Sequence, residues 1–131
     1  MPEAVILVGI PACGKSTYAA GLATHVYINL DTLKTRSKED QKLTTAVAAG
    51  KSFVVDNTNP TPEKRKKYID LAKANGYKIR AVYFQIDVKT CLERNSKRNR
   101  IVPPMAIHMI KKKIIPPTPE EGFDEVETIQ Q

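Results

Sequence analysis

Short apolar runs alternate along the chain with longer segments in which apolar residues recur at helical spacing. The first run, residues 4–8, is apolar throughout, which is typical of a parallel strand buried on both faces. The predicted strands are residues 4–8, 25–29, 52–56 and 79–84, with a weak edge strand within 121–129. Predicted helices begin at Lys15, run from about Ser37 to Ala49, from Pro62 to Gly76 and from about Met105 to Ile114, and follow Asp87. This order predicts the α/β class, with a mostly parallel sheet and helices on both faces.

A glycine-rich stretch, residues 9–17, lies between the first predicted strand and the first predicted helix. Its sequence, GIPACGKST, matches G-x-x-x-x-G-K-[ST], a loop whose backbone N–H groups surround phosphate. Lys15 is then predicted to reach the β- and γ-phosphates of a nucleotide, and the Ser16 hydroxyl to hold Mg²⁺. The alternative is a helix start after a glycine turn that binds nothing. The predicted nucleotide-binding residues are Gly9, Pro11, Ala12, Cys13, Gly14, Lys15, Ser16 and Thr17.

Strand, loop and helix in this order predict a three-layer P-loop NTPase sandwich, and an aspartate ends each of two further strands. Because the carboxyl ends of parallel strands share one edge, Gly9, Asp31 and Asp56 should converge there. Asp31 is the predicted base for an acceptor hydroxyl, and Asp56 is predicted to hold or order Mg²⁺ together with Ser16. The alternative for each aspartate is a cap on the next element.

Basic residues crowd one short stretch of the predicted helix after Asp87. Arg94 and Arg98 are four residues apart, which predicts one shared helix face, and no acidic residue separates Arg94 from Arg100. A bound triphosphate would relieve their mutual repulsion, so a short basic lid over ATP is predicted at approximately residues 94–103. The alternative is a basic, solvated helix end.

Length, charge and cysteine content restrict the number of domains, the kind of partner and the cellular setting. The 131 residues predict one domain over 1–131, and the net charge of +7 favours a polyanionic partner such as nucleic acid, or serves solubility alone. No apolar run reaches 18 residues and the N-terminus lacks a signal-peptide pattern, so no membrane partner is expected. Two cysteines predict a reducing cytoplasmic or nuclear setting. Cys13 either fills space or, beside a positive loop, is sensitive to oxidation.

Five stretches, in order along nearly the whole chain, resemble the kinase domain of polynucleotide 5′-hydroxyl kinases, as in bacteriophage and animal end-repair enzymes. They are GIPACGKSTYA at 9–19, NLDTLK at 29–34, DNTNPTPEKR at 56–65, ERNSKRNR at 93–100 and PPTPEEGFDEV at 116–126. DNTNP and EGF are much more specific to this family than the phosphate loop is.

The resemblance implies phosphorylation of 5′-OH ends of DNA or RNA, with ATP and Mg²⁺. Asp31 stands where the family has its general base, and Arg98 stands where it has a lid arginine on the ATP phosphates, with Arg94 beside it. The family usually has arginine where Leu30 stands, and its phage members have arginine where Lys34 stands. The implied acceptor-binding residues are Asp31, Lys34, Asn57 and Asn59.

Two other functions fit parts of the pattern. The Leu30 departure favours a small-molecule P-loop kinase that phosphorylates a nucleoside, a sugar or a similar alcohol. A nucleotide-binding switch without phosphoryl transfer would also use the loop, although the N-K-x-D guanine motif is absent. The D-x-D motif of a companion 3′-phosphatase and the K-x-D-G motif of a ligase are absent too. The chain is therefore predicted to carry the kinase part alone, with a separate phosphatase or ligase as a candidate partner.

Overall fold

A computed structural model describes residues 2–98 and 101–130 and places five parallel strands in one sheet. The strands are β1 (Glu3–Val8), β2 (Val26–Ile28), β3 (Phe53–Val55), β4 (Lys78–Phe84) and β5 (Glu125–Ile129). Their order across the sheet is β2-β3-β1-β4-β5. The helices are α1 (Lys15–Ala20), α2 (Leu30–Leu33), α3 (Arg36–Ala48), α4 (Pro62–Ala74), α5 (Val88–Ser96) and α6 (Pro104–Lys113), followed by a 3₁₀ turn at Pro119–Glu121. The predicted α/β class is confirmed, and the weakly patterned C-terminal segment is indeed an edge strand.

The central strand β1 is buried on both faces, as its continuous apolar run predicts. It pairs with β3 on one side and with β4 on the other. Its side chains alternate between two hydrophobic cores, with Ala4 and Ile6 in one and Val5 and Leu7 in the other. The first core contains side chains of α3 and α4, and the second contains side chains of α1, α5 and α6. Helices on both faces of one sheet make the predicted three-layer sandwich.

Two of the predicted helices, α4 and α5, are capped by the side chain of the residue directly before them. The Thr61 hydroxyl accepts a hydrogen bond from the Lys64 N–H at 3.3 Å, with Pro62 at the first helical position of α4. The Asp87 carboxylate accepts from the Lys89 N–H at 2.9 Å at the start of α5. Local side-chain chemistry therefore defines both boundaries.

Two local expectations are wrong. Asp31 does not end a strand: β2 stops at Ile28, and the side chain of Asn29 accepts from the Thr32 N–H, so a four-residue helix begins and places Asp31 in its first turn. Arg98 does not share a helix with Arg94, because α5 ends at Ser96. Arg100, the last predicted cation of the basic segment, lies outside the described residues.

Within residues 2–98 and 101–130, every helix is too short or too polar to cross a lipid bilayer.

Candidate active site

The glycine-rich loop joins β1 to α1 at the carboxyl edge of the sheet. Ala12 (φ 64°) and Gly14 (φ 105°) have left-handed backbone conformations, which turn the chain sharply ahead of Lys15. A Cβ atom at Gly9 would lie 2.7 Å from the Cys13 sulfur and 3.0 Å from Phe84 Cβ. Position 9 therefore needs glycine, because the Cys13 side chain lies too close to leave room for a Cβ atom.

Cys13 is enclosed in the core beneath this loop. Only 1% of its surface is exposed, and burial raises the pKa of its thiol despite the neighbouring Lys15 ammonium. Reactive cysteines are exposed and have a lowered pKa, so Cys13 has the properties of a space-filling residue. Oxidation sensitivity, the alternative for this residue, does not fit its environment.

Lys15 carries the positive charge of the loop and is 8% exposed. Its ammonium donates to the backbone oxygens of Gly9 and Ile10 at 2.8 and 3.0 Å. These bonds hold the charge against the base of the loop. The remaining loop residues that were predicted to bind nucleotide line one large cavity with Lys15: Pro11, Ala12, Cys13, Gly14, Ser16 and Thr17.

Ser16 and Asp56 meet at the edge of the sheet, as predicted for a magnesium site. The Ser16 hydroxyl donates to Asp56 Oδ2 at 2.9 Å. The Tyr27 hydroxyl donates to the same oxygen at 2.5 Å, so this carboxylate oxygen accepts two hydroxyl hydrogens. Burial, followed by the hydrogen bond to Asp56 and its negative charge, raises the pKa of Tyr27 to about 12, and Tyr27 therefore stays a donor at neutral pH.

The chemistry of these oxygen atoms fits Mg²⁺. Magnesium prefers hard oxygen ligands, keeps several waters and commonly uses one or two protein groups together with substrate phosphates. Ser16 Oγ and the Asp56 carboxylate are such groups, and they adjoin the phosphate loop. Among the described residues there is no cluster of three His, Cys, Asp or Glu side chains that would hold a metal without a substrate.

Helix α2 carries Asp31 to the same edge, and two asparagines hold it there. The Asn29 amide nitrogen donates to the backbone oxygen of Asp56. The Leu30 N–H donates to Asn57 Oδ1 at 2.9 Å. The segment before Asp31 is therefore bonded to the segment that follows β3, which brings the two predicted aspartates together.

Two cavities meet at Asp31. The larger, of about 700 Å³, is lined by the phosphate loop, Asp56 and the basic residues Arg94 and Arg98. The smaller, of about 240 Å³, contains Arg36 and Lys64 in its wall. Both cavities are also lined by the same three residues: Asp31, Asn57 and Thr58. The carboxylate predicted to act as a base therefore lies where two binding spaces adjoin.

Basic residues at the end of α5 and just beyond it face the larger cavity. Arg94 donates to the Cys13 backbone oxygen at 3.4 Å, which links α5 to the phosphate loop. Arg98 lies two residues beyond the helix and lines the same cavity. The Asn95 side chain forms two hydrogen bonds with the backbone of Val102, so the chain turns back towards α5.

Two of the other three predicted acceptor-binding residues line a cavity: Asn57 lines both cavities and Asn59 lines the smaller one. Lys34 adopts a left-handed conformation (φ 76°) at the end of α2 and lines neither cavity. The Asn57 amide nitrogen donates to Glu39 and Tyr68, and that of Asn59 donates to the Leu7 backbone oxygen at 2.7 Å. The amide hydrogens of both asparagines are thus engaged within the protein.

Sequence patterns did not identify several residues of this site. Tyr27 has a faint signal, because strand alternation predicts that it faces away from Val26 and Ile28. Glu39 and Tyr68 have none, since their roles come from contacts between residues up to 29 positions apart. Arg36 and Lys64 appear in the sequence only as members of charged helix ends.

Comparison with known proteins shows which family the chain belongs to. The sequence profile described as the AAA domain matches residues 40–114. A bifunctional polynucleotide phosphatase/kinase of Schizosaccharomyces pombe is 38% identical over 97% of this chain, and a protein of Acanthamoeba polyphaga mimivirus, provisionally given the same name, is 32% identical over 97%. The chain spans about a third, 33%, of the length of each relative.

Solved structures confirm the fold. Kti12 of Chaetomium thermophilum, in complex with ADP-AlF3, superposes with a TM-score of 0.70 over 98% of this chain and 89% of that chain, at 16% identity. The resemblance to polynucleotide kinases predicted from the five stretches is matched by both sequence relatives, and membership of a P-loop family implies nucleotide binding. The chain belongs to the AAA domain family.

Proposed function

We propose that this chain is a polynucleotide 5′-kinase, which transfers the γ-phosphate of ATP to the 5′-OH end of DNA or RNA. The observation that carries the proposal is the position of Asp31 in the shared wall of the two cavities. Phosphoryl transfer requires a donor and an acceptor on either side of one reacting centre. The two relatives, whose names include polynucleotide kinase, support this choice of acceptor.

The larger cavity suits the donor. Its loop N–H groups and Lys15 would bind the β- and γ-phosphates, and Arg94 and Arg98 would offset the charge that spreads over the transferred group. Ser16 and Asp56 would hold Mg²⁺, which, when bound, neutralises phosphate charge. The volume of about 700 Å³ lies in the range of sites for molecules of nucleotide size.

Asp31 would act on the acceptor hydroxyl. As the hydroxyl oxygen forms its bond to the γ-phosphorus, the proton passes to the Asp31 carboxylate. The bond between the γ-phosphorus and the bridging oxygen breaks, and ADP leaves with that oxygen. No covalent intermediate with the protein is needed.

The smaller cavity suits a phosphate of the acceptor strand. Arg36 and Lys64 lie in its wall, and Lys64 forms no ion pair with any described residue. In this chain they would supply the cationic contact for which the family uses arginine at the position of Leu30. A nucleoside or a sugar lacks such a phosphate, which favours the polynucleotide over a small alcohol as acceptor.

The deciding experiment supplies labelled ATP with an acceptor panel of 5′-OH DNA, 5′-OH RNA, a 3′-phosphorylated mononucleotide and a nucleoside. We expect transfer to at least one oligonucleotide. Transfer to no nucleic-acid end, single- or double-stranded, would reject the proposal. Transfer to the nucleoside alone would replace it with a small-molecule kinase.

Asp31→Ala tests the base within that assay. We expect the rate to fall by roughly 10²–10⁴, the usual contribution of general acid–base catalysis, with ADP affinity unchanged because the phosphate loop stays intact. Normal turnover by this variant would remove Asp31 from the mechanism.

The setting of the enzyme is also a proposal. Both cysteines are free and buried, which fits a reducing cytoplasmic or nuclear compartment. A phosphatase or a ligase acting on the same ends would complete the healing of broken strands.

A further inference from the structure

Helix α2, which carries Asp31, is too short and too exposed to hold a fixed orientation by its own contacts. Helix α2 is four residues long and buries none of them. A helix this short has little stability of its own in water. A general base must nevertheless lie within hydrogen-bond reach of its proton, and a displacement of 1 Å can reduce the rate about 10²-fold. Contacts from outside α2 must therefore fix its position.

Asn57 provides such a contact with both ends of its side chain. Its Oδ1 accepts from the Leu30 N–H at 2.9 Å, immediately before Asp31. Its Nδ2 donates to Glu39 Oε2 at 3.2 Å and to the Tyr68 hydroxyl at 3.1 Å. Because acceptors surround the nitrogen and a donor faces the oxygen, only one orientation of the amide satisfies all three bonds.

Glu39 is the centre of the cluster behind Asn57. It is 0% exposed, and its carboxylate accepts from Arg36 at 3.1 Å, from Lys67 at 2.9 Å and from Tyr68 at 2.9 Å, as well as from Asn57. Burial alone would raise the pKa of Glu39, but the hydrogen bonds and the charge of Lys67 outweigh it and lower the pKa. The buried carboxylate is therefore ionised and offers acceptors only.

The cluster rests on the two long helices of one face. Glu39 belongs to α3, and Lys67 and Tyr68 belong to α4. Tyr68 is almost completely buried in the core, so the base of the cluster cannot shift without disturbing the packing. The packed helices α3 and α4 thus support the short, exposed helix α2 through the Asn57 amide.

We propose that Glu39 and Asn57 are positioning residues that aim Asp31, with the buried carboxylate acting on the base through the Asn57 amide and the Leu30 N–H. The inference rests on the proposed function, because it concerns the alignment of the proposed base. Neither residue touches the reacting atoms in this scheme.

Glu39→Gln is the most discriminating variant, since glutamine keeps the volume but brings two hydrogens into a site already filled with donors. We expect kcat with a saturating 5′-OH oligonucleotide to fall about tenfold, with the KM for ATP unchanged. Asn57→Ala should lower kcat to a similar extent. If Glu39 acts through Asn57, the double variant should lose less than the product of the two single losses.

Glu121→Gln is the matched control. It also removes a carboxylate charge from a buried cation, in this case Arg65, but at a site away from Asp31. We expect this control to lower Tm and to leave kcat unchanged. If Glu39→Gln lowers Tm and likewise leaves kcat unchanged, Glu39 is only structural and the inference is wrong.

Amide hydrogen exchange at Leu30, followed by NMR, tests the inference without an acceptor. The Leu30 N–H should be protected in the wild type and should exchange severalfold faster in Glu39→Gln and Asn57→Ala, but not in Glu121→Gln. Unchanged protection at Leu30 would overturn the positioning role. An inactive wild type with this exchange pattern would instead reject the proposed function and leave the positioning of α2 supported.

Discussion

At the scale of single residues, Tyr27 helps to orient Asp56, the carboxylate that we propose to hold Mg²⁺. Its hydroxyl and that of Ser16 donate to the same carboxylate oxygen. Two donors on one oxygen hold the carboxylate plane in place, and a hydrogen bond to a charged group contributes about 1.5–3 kcal/mol. The second carboxylate oxygen is thereby turned in a defined direction.

Tyr27→Phe should weaken the response to magnesium. Without the hydroxyl, the Asp56 carboxylate can rotate, so we expect the Mg²⁺ concentration for half-maximal transfer to rise about tenfold or more, which corresponds to the lower end of that range for a hydrogen bond to a charged group. ADP binding measured calorimetrically without Mg²⁺ should not change. Tyr77→Phe, which removes a hydroxyl bonded to the Lys51 backbone oxygen at 2.7 Å, is the control. Coincident Mg²⁺ titrations of wild type and Tyr27→Phe would rule out this role.

At the scale of elements, one buried ion pair joins the C-terminal segment to α4. Arg65 is 0% exposed and forms a two-pronged contact with Glu121, at 2.8 and 3.1 Å. The same guanidinium donates to the backbone oxygens of Asn59 and Ile115 at 3.1 and 2.9 Å. One side chain therefore connects the loop after β3, the segment after α6 and the 3₁₀ turn.

Arg65→Met should be strongly destabilising. It leaves the Glu121 carboxylate and two backbone oxygens without their donor, and breaking a buried pair in this way costs about 3–5 kcal/mol. Urea denaturation should show this loss in the free energy of unfolding. Lys66→Ala, in the next position of α4, removes an exposed pair with Asp70 and should change stability by less than about 1 kcal/mol. Equal effects of the two substitutions would contradict this assignment.

At the scale of the whole molecule, the question is where the positive side chains behind the net charge of +7 lie. Arg36 and Lys64 lie in the wall of the smaller cavity, where Arg36 also donates to Glu39. The neighbouring Lys66 and Lys67 are engaged by carboxylates, whereas Lys64 forms no ion pair with a described residue. Among the lysines in this part of α4, Lys64 therefore remains available for a phosphate of a bound strand, on the wall that also contains Asp31.

Salt dependence measures this contribution. For a single-stranded 5′-OH oligonucleotide, we expect log affinity to fall linearly with log salt concentration, with a slope of about 0.7 per phosphate contacted. Arg36→Ala and Lys64→Ala should each reduce the slope by roughly that amount, and Lys66→Ala should leave it unchanged. A slope that is identical in all four proteins would show that the smaller cavity does not bind the strand.

Much of this architecture follows from local patterns in the chain. The apolar run before Gly9 predicts the central strand, and the spacing up to Lys15 and Ser16 predicts the phosphate loop. The convergence of Gly9 and Asp56 follows from the rule that parallel strands end at one edge, and Asp31 reaches that edge because α2 directly follows β2. Each of these predictions depends on neighbouring residues or on a general rule of topology.

The remaining features depend on packing between distant segments. Four residues are too few for helical periodicity, so α2 has no pattern to find. From the sequence, the amide of Asn57 is typical of a ligand-binding residue. Its positioning role depends on the contact with Glu39, which belongs to α3. Contacts of this kind are set by the tertiary structure, and no window of sequence contains them.

The position of β1 in the middle of the sheet has a consequence for biosynthesis. The first strand of the chain pairs with β3 and β4, whose residues lie 45 or more positions later. Because every strand pair is parallel, no hairpin can form early, and each pairing must wait for a complete crossover. On the ribosome, the phosphate-loop strand therefore emerges as an unpaired apolar segment, and it lacks at least one of its two neighbours until β4, which ends at Phe84, has been synthesised. Newly made chains should accordingly depend on chaperones during that interval, and release of chains that stop at Gly76 should yield insoluble protein.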